Sequence, residues 1–338
     1  MADISTFSPD GGTTGYNLKD AQARTNISDL YSNIGLSTTP VPSYVAKNLP
    51  ILKRNITDAF YNGTLREEIA AGNFKNVRPG DYIVGSATGS TYYVAELDWM
   101  YGKGDQTGAT YQAGAYGTHH LGLMLFKAVG ITKLWAGWGD AGKTWRRGAN
   151  ELNTCPWNAN TDVDPTDTDA AGVNNTNITR QYGGNNVSGY MGSFIRDRID
   201  ARLLPDCFQA DFGSANVLIF RNINGNAVAT DKPSGGQGNW NGCTSGWSWY
   251  DRYLELPSEV ELYGSRVYSS AMDIGCQCEQ LSMFRQAAIH DFFPRMDVLT
   301  KAVASSSTAA FRSAYGGAGA NYAGASRALW SCPLACIK

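Results

Sequence analysis

Thirty-eight glycines in a chain of 338 residues, beside 18 tyrosines and nine tryptophans, set the strongest limit on what it can fold into. Glycine in a helix interior costs roughly 0.5–1 kcal/mol relative to alanine, while turns accept it freely and aromatic residues favour strands. The composition therefore predicts many short strands joined by turns. With 43% hydrophobic and 17% charged residues, the chain can bury a sizeable core without staples. Its net charge of −2 gives no electrostatic reason to expect nucleic acid or an acidic membrane as a partner.

Helical spacing is confined to the first part of the chain. Leu18, Ala23, Ile27, Leu30 and Ile34 recur at three to five residues, a short seam followed by an extended stretch with two prolines, Pro40 and Pro42. A second seam runs through Leu52, Ile56, Phe60, Leu65 and Ile69, with a break expected at Asn62–Gly63. From Arg78 onward the pattern is strand and turn. Two β-rich runs flank Gly85–Ser90 and predict a hairpin. Gly, Asn, Asp and Thr dominate a loop-rich insertion at about 135–188. Helical spacing returns before Phe208, and strands are expected in 216–222 and 253–264. No alternation of strand, helix and strand appears, so the fold class is α+β. The reading divides the chain into an arm with a short helix (1–45), a helical connector (46–77) and a body (78–338).

The N-terminus is polar and lacks the order of a secretion signal, so the protein is expected to be made in a cytoplasm. The longest apolar run, Leu121 to Trp138, is interrupted by Lys127 and Lys133, and no membrane insertion is expected. Seven cysteines without a regular framework read as reduced, buried thiols.

Several patterns invite a chemical reading. Gly137 to Thr144 fits the phosphate-loop spacing, yet no buried strand feeds it and no strand ends in a magnesium-binding aspartate, so nucleotide hydrolysis is rejected. Asp162, Asp164, Asp167 and Asp169 are weak candidates for a calcium site, without the glycine and glutamate positions of a helix–loop–helix calcium loop. No other cofactor is expected. His119–His120 cannot both face one metal from a strand, and one of them reads as a core donor. Cys332 and Cys336 are too far apart for a thioredoxin-type pair. Glu96, Asp98, Glu255 and Glu259 could supply a glycosidase pair, but spacing sets no two of them across a cleft. The chain is not expected to be an enzyme.

The order GDYIVG, AELDWMYGKGD, HHLGLML, GYMGS, SGWSWYDRYLELPSEVELYGS and AVASSSTAAF, with a Gly/Ala/Asn tail, resembles a family of phage and prophage virion-associated proteins. Their C-terminal module is similar to the C-type-lectin-like fold of formylglycine-generating enzymes and of the variable proteins of diversity-generating retroelements. The resemblance spans about residues 55–338. Met296–Lys301 stands where such proteins carry a Trp-rich segment, and Ser331–Pro333 where they carry Arg-Pro.

The resemblance implies a C-type-lectin-like domain of many short strands, preceded by an N-terminal helical and extended attachment segment. It implies a virion surface protein, a tail or head fibre or a receptor-binding or decoration subunit for host attachment. The arm would contact other virion proteins, the chain would associate with itself as a homotrimer, and its C-terminal face would meet a bacterial surface glycan or protein. Phe311, Arg312, Ser313, Tyr315, Asn321, Tyr322, Ser326, Arg327, Leu329 and Trp330 are the implied ligand contacts, set among Ala, Gly and Ser. Phe311, Leu329 and Trp330 also fit a core role. Two alternatives stay open, a structural shell component without a receptor and a polysaccharide-degrading virion enzyme.

Overall fold

The computed structural model describes residues 6–7, 16–17, 40–104, 114–127, 181–182, 185–186, 196, 199–225, 247–265, 279–286, 292, 298–301, 309–315, 319–324 and 332–338. The seam from Leu18 to Ile34 and nearly all of the insertion lie outside these residues. Two-residue strands β1 (Thr6–Phe7) and β2 (Tyr16–Asn17) pair with each other, as do β6 (Gln181–Tyr182) and β7 (Asn185–Asn186) further along the chain.

Three helices follow, α1 (Ser43–Ala46), α2 (Thr57–Tyr61) and α3 (Thr64–Ala70). The expected break is there: Gly63 stands between α2 and α3 at φ +94°, a backbone that side-chain-bearing residues rarely adopt. Ile56, Phe60, Leu65 and Ile69 are buried as the spacing predicts, whereas Leu52 is exposed. This stretch packs into the same core as the sheet, with Phe60 edge-on to Phe212 at 5.7 Å. Asp81, fully buried, joins it to the first hairpin. Its carboxylate accepts from the Arg54 amide at 3.0 Å, the Arg54 guanidinium at 2.6 Å and the Arg78 amide at 2.9 Å. Arg78 in turn donates to the carbonyls of Phe74, Lys75 and Val77, and burial pulls its guanidinium down to about 10.

The hairpin predicted around Gly85–Ser90 joins β3 (Tyr82–Val84) to β4 (Thr91–Leu97). These strands enter a six-stranded antiparallel sheet with β5 (Leu121–Lys127), β8 (Val217–Leu218), β11 (Leu254–Glu255) and β15 (Leu334–Ile337). The order is β11-β15-β5-β4-β3, and β8 also pairs with β15. The last strand of the chain thus lies inside the sheet.

Both faces of the sheet are covered, which explains why β5 and β15 read as unbroken apolar runs. Leu121, Leu123, Leu125, Ala335 and Ile337 pack towards the helices, including α4 (Ile199–Gln209) and α5 (Ala210–Phe212). Met124, Leu334 and Cys336 pack on the opposite side with Trp99, Phe220, Leu262 and Met283. That side carries β9 (Phe220–Gly225), paired with β10 (Trp247–Arg252), and helices α6 (Glu259–Tyr263) and α7 (Ser282–Gln286). Among the described residues the helices and antiparallel sheet make an α+β architecture.

One expectation is corrected. The stretch 253–264 is only briefly a strand, and 259–263 is the helix α6. Ser258 starts it with a capping box: its hydroxyl accepts from the Glu261 amide at 3.1 Å, and the Glu261 carboxylate accepts from the Ser258 amide at 2.8 Å. Gly264 closes the helix in a left-handed backbone, φ +78°.

Candidate functional site

The implied ligand-contact tract is a three-stranded antiparallel unit. The strand β12 (Val298–Leu299) pairs with β13 (Ala309–Tyr315), which pairs with β14 (Gly319–Gly324). Phe311 stands opposite Tyr322 and Arg312 opposite Asn321, with an irregularity before the Tyr315–Gly319 pair. Ser313 lies opposite Val298. Successive rungs of a pleated ladder belong to opposite faces, so the Phe311–Tyr322 and Arg312–Asn321 pairs are on different faces of the unit. The structure thus brings six of the ten candidates into one hairpin. Ser326, Arg327, Leu329 and Trp330 lie outside the described residues.

Both ends of this tract are anchored in the core. At the start, Thr300 and Lys301 are buried, the Lys301 amide donates to the Pro257 carbonyl at 3.1 Å, and Lys301 Nζ lies 3.6 Å from Glu255 Oε2. Glu255, also buried, accepts from Asn224 Nδ2 at 2.7 Å and from Asn222 Nδ2. At the end, Cys332 is buried and the chain runs directly into β15. None of these anchors carries a sequence signal beyond its residue type.

The acids considered as a catalytic pair are all buried. Glu96 accepts from the Ser282 amide at 2.9 Å and its hydroxyl at 2.7 Å, and lies 3.3 Å from the Arg285 guanidinium. Glu255 belongs to the anchor, and Glu259 is fully buried in α6. Glu261 accepts from Trp99 Nε1 at 3.1 Å, and burial pushes its carboxyl up.

The histidine pair divides its roles as strand geometry requires. His120 is fully buried, receives the Met100 amide on Nε2 at 3.2 Å and is bonded through Nδ1 to the Thr118 carbonyl at 2.8 Å. Burial pulls it below its ordinary value. His119 is half-buried, with Nδ1 2.9 Å from Asp98 Oδ2 and its ring stacked on Tyr101 at 4.2 Å. Asp98, at φ +56°, also accepts the His120 amide at 3.1 Å. A carboxylate orienting an imidazole is the geometry of a general base. Here, however, Nε2 sits over Gly72, so closely that a Cβ on that residue would meet it at 2.8 Å. Gly72 crowds that edge of the ring, and the pair joins the end of β4 to the start of β5.

Sequence reasoning missed Asp211 altogether. Its buried carboxylate accepts from the amides of Ala87 and Thr88 at 2.9 Å, the Thr88 hydroxyl at 2.6 Å and the Tyr92 hydroxyl at 2.6 Å, clamping the β3–β4 turn. Gly85 is needed beside it, because a side chain there would overlap the carboxylate. No local signal could reveal a contact across more than a hundred residues.

Cys207, Cys332 and Cys336 are free and buried. Desolvation pushes the Cys207 thiol up to about 12 and raises Cys332, Cys336 and the Tyr92 phenol well above their ordinary values. A raised value means that the neutral form is favoured by folding. The stabilisation is complete below the ordinary thiol range, about 8.5, and is lost as pH rises towards 12. Urea midpoints should therefore fall steeply above about pH 8.5, and Cys207→Ala should make that limb shallower. Identical limbs would contradict the assignment.

Among the described residues no group of three or more His, Cys, Asp or Glu could hold a metal ion, and Asp162, Asp164, Asp167 and Asp169 lie outside them. The phosphate-loop match at 137–144 lies outside them too. Among the described residues no helix is long and apolar enough to cross a membrane. No family model, curated protein or solved structure matches the chain.

Proposed function

We propose that this chain is a phage virion surface protein, a fibre, receptor-binding or decoration subunit, whose body is a C-type-lectin-like scaffold presenting the β13–β14 hairpin to a host-surface ligand. One observation carries the reading. The hairpin is inserted between two buried anchors, Lys301 on Glu255 and Cys332 leading into β15. A segment held in this way can change its residues without disturbing the sheet, which is what a recognition surface on a rigid scaffold requires.

The opposite-face rungs sharpen the choice of contacts. Arg312 and Asn321 form one candidate face and Phe311 and Tyr322 the other, so a single flat ligand engages one pair. Arg and Tyr are the side chains that most often dominate binding energy. The arm, 1–45, attaches the protein to other virion proteins, and copies associate as a homotrimer whose several faces convert weak single-site binding into avidity.

The test is adsorption of the purified protein to the bacteria in which the encoding genome resides or replicates. A variant with Arg312, Tyr315, Tyr322 and Arg327 changed to Ala is expected to lose binding by a factor of about 100 or more. Unchanged adsorption would move the ligand face elsewhere.

A further inference from the structure

We propose that Asn62, in the helical connector, is a site of spontaneous modification: its side-chain amide is lost to attack by the Gly63 backbone nitrogen, giving aspartate and isoaspartate. The inference does not rest on the receptor-binding reading of the C-terminal hairpin.

An asparagine followed by glycine is the pair most open to this reaction, because no side chain hinders the attacking nitrogen. The chain has three such pairs, Asn62–Gly63, Asn224–Gly225 and Asn241–Gly242, the last outside the described residues. The structure separates the first two. Asn62 is exposed at the C-terminal end of α2, and its Oδ1 accepts from the Thr64 amide at 3.0 Å. Among the described residues nothing accepts from its Nδ2, the group that must leave. Asn224, by contrast, is buried, and its Nδ2 donates to the Glu255 carboxylate at 2.7 Å. Its backbone is held in the β9–β10 ladder opposite Ser248.

The reaction needs rotation about the Asn62 Cα–C bond. At ψ −7° the Gly63 nitrogen is turned away from Cγ, and its N–H donates to the Phe60 carbonyl at 3.3 Å. That bond is long, and there is room for the turn: a Cβ on Gly63, at φ +94°, would meet nothing within 4 Å. The flanking helices have five and seven residues, so opening the junction breaks few bonds. The same rotation at Asn224 would break the ladder and pull the side chain off Glu255, an opening of the core.

The chemistry balances without an oxidant or reductant. Hydroxide takes the Gly63 amide proton, and the nitrogen attacks Cγ of Asn62. The Cγ–Nδ2 bond then breaks, and Nδ2 takes a proton from water and leaves as ammonia. Water opens the five-membered imide at either carbonyl, so one water is consumed and one ammonia released. Opening on one side gives aspartate, which keeps an acceptor for the Thr64 amide. Opening on the other routes the main chain through Cβ and adds a backbone atom between Phe60 and Leu65, both buried in the core. Isoaspartate therefore loosens the packing of the connector.

The experiment ages the full chain in mildly alkaline buffer, digests it at acidic pH and maps it by mass spectrometry, with the urea-unfolded chain as reference. In the native chain the Asn62 peptide should gain the mass that exchange of NH2 for OH brings, at least about tenfold faster than the Asn224 peptide. In urea the two rates should converge. An isoaspartyl methyltransferase should label the aged Asn62 peptide, and the thermal midpoint of the aged chain should fall. Asn62→Gln, whose longer side chain closes the ring far more slowly, should lose that label and hold its midpoint better. An Asn62 peptide that stays unmodified in the native chain while the unfolded chain is converted would overturn the proposal. So would equal native rates at Asn62 and Asn224, or a fall in midpoint unchanged by Asn62→Gln.

Discussion

Glu255→Gln is expected to lower the stability of this protein by about 3–5 kcal/mol, a large part of what holds a domain folded. The carboxylate is buried and serves three donors at once, Lys301, Asn222 and Asn224. Glutamine keeps the shape but turns an amide NH2 towards these donors and takes from the buried Lys301 ammonium the carboxylate that lies 3.6 Å away. Removing one member of a buried pair costs far more than removing both. Glu255→Met combined with Lys301→Met should therefore recover much of the loss. Urea unfolding followed by circular dichroism measures both. A single-variant loss under about 1 kcal/mol would show that the pair does not anchor the chain at this point.

Asp211→Ala is expected to cost at least about 3 kcal/mol, because two amides and two hydroxyls lose their acceptor together and a buried, unbonded polar group costs about 1–3 kcal/mol. Tyr92→Phe removes one of these bonds with its donor, so it should cost only about 1 kcal/mol. Tyr92 also meets Phe208 and Phe212 edge-on at 5.1 and 4.8 Å, contacts that phenylalanine keeps. The two losses, measured in the same denaturant series, should differ by a factor of about three. Equal losses would mean that Tyr92 alone carries the clamp.

What was legible in the sequence was local. The break at Gly63 needs only a residue tolerant of a left-handed backbone, and the β3–β4 turn needs only its Gly85–Ser90 stretch between β-rich runs. The Ser258 helix was misread because Glu-Val-Glu-Leu alternates like a half-buried strand, and that pattern hid the Ser-x-x-Glu capping signal. Burial of both Glu259 and Glu261 is the feature no alternation rule foresees. In the candidate site, the pairing of Phe311 with Tyr322 and the Lys301–Glu255 anchor, which joins residues 46 positions apart, both become visible only in the fold. Residue type named the acids but not their surroundings, since Glu96 and Glu255 serve as acceptors in the interior and Glu259 is buried in α6.

The central claim is that the β13–β14 hairpin is a display surface on a virion. Electron cryo-microscopy of the assembled particle tests it most directly. The account predicts that the β13–β14 hairpin faces solvent on the outside of the particle. A hairpin packed against a neighbouring subunit or turned into the particle would contradict it.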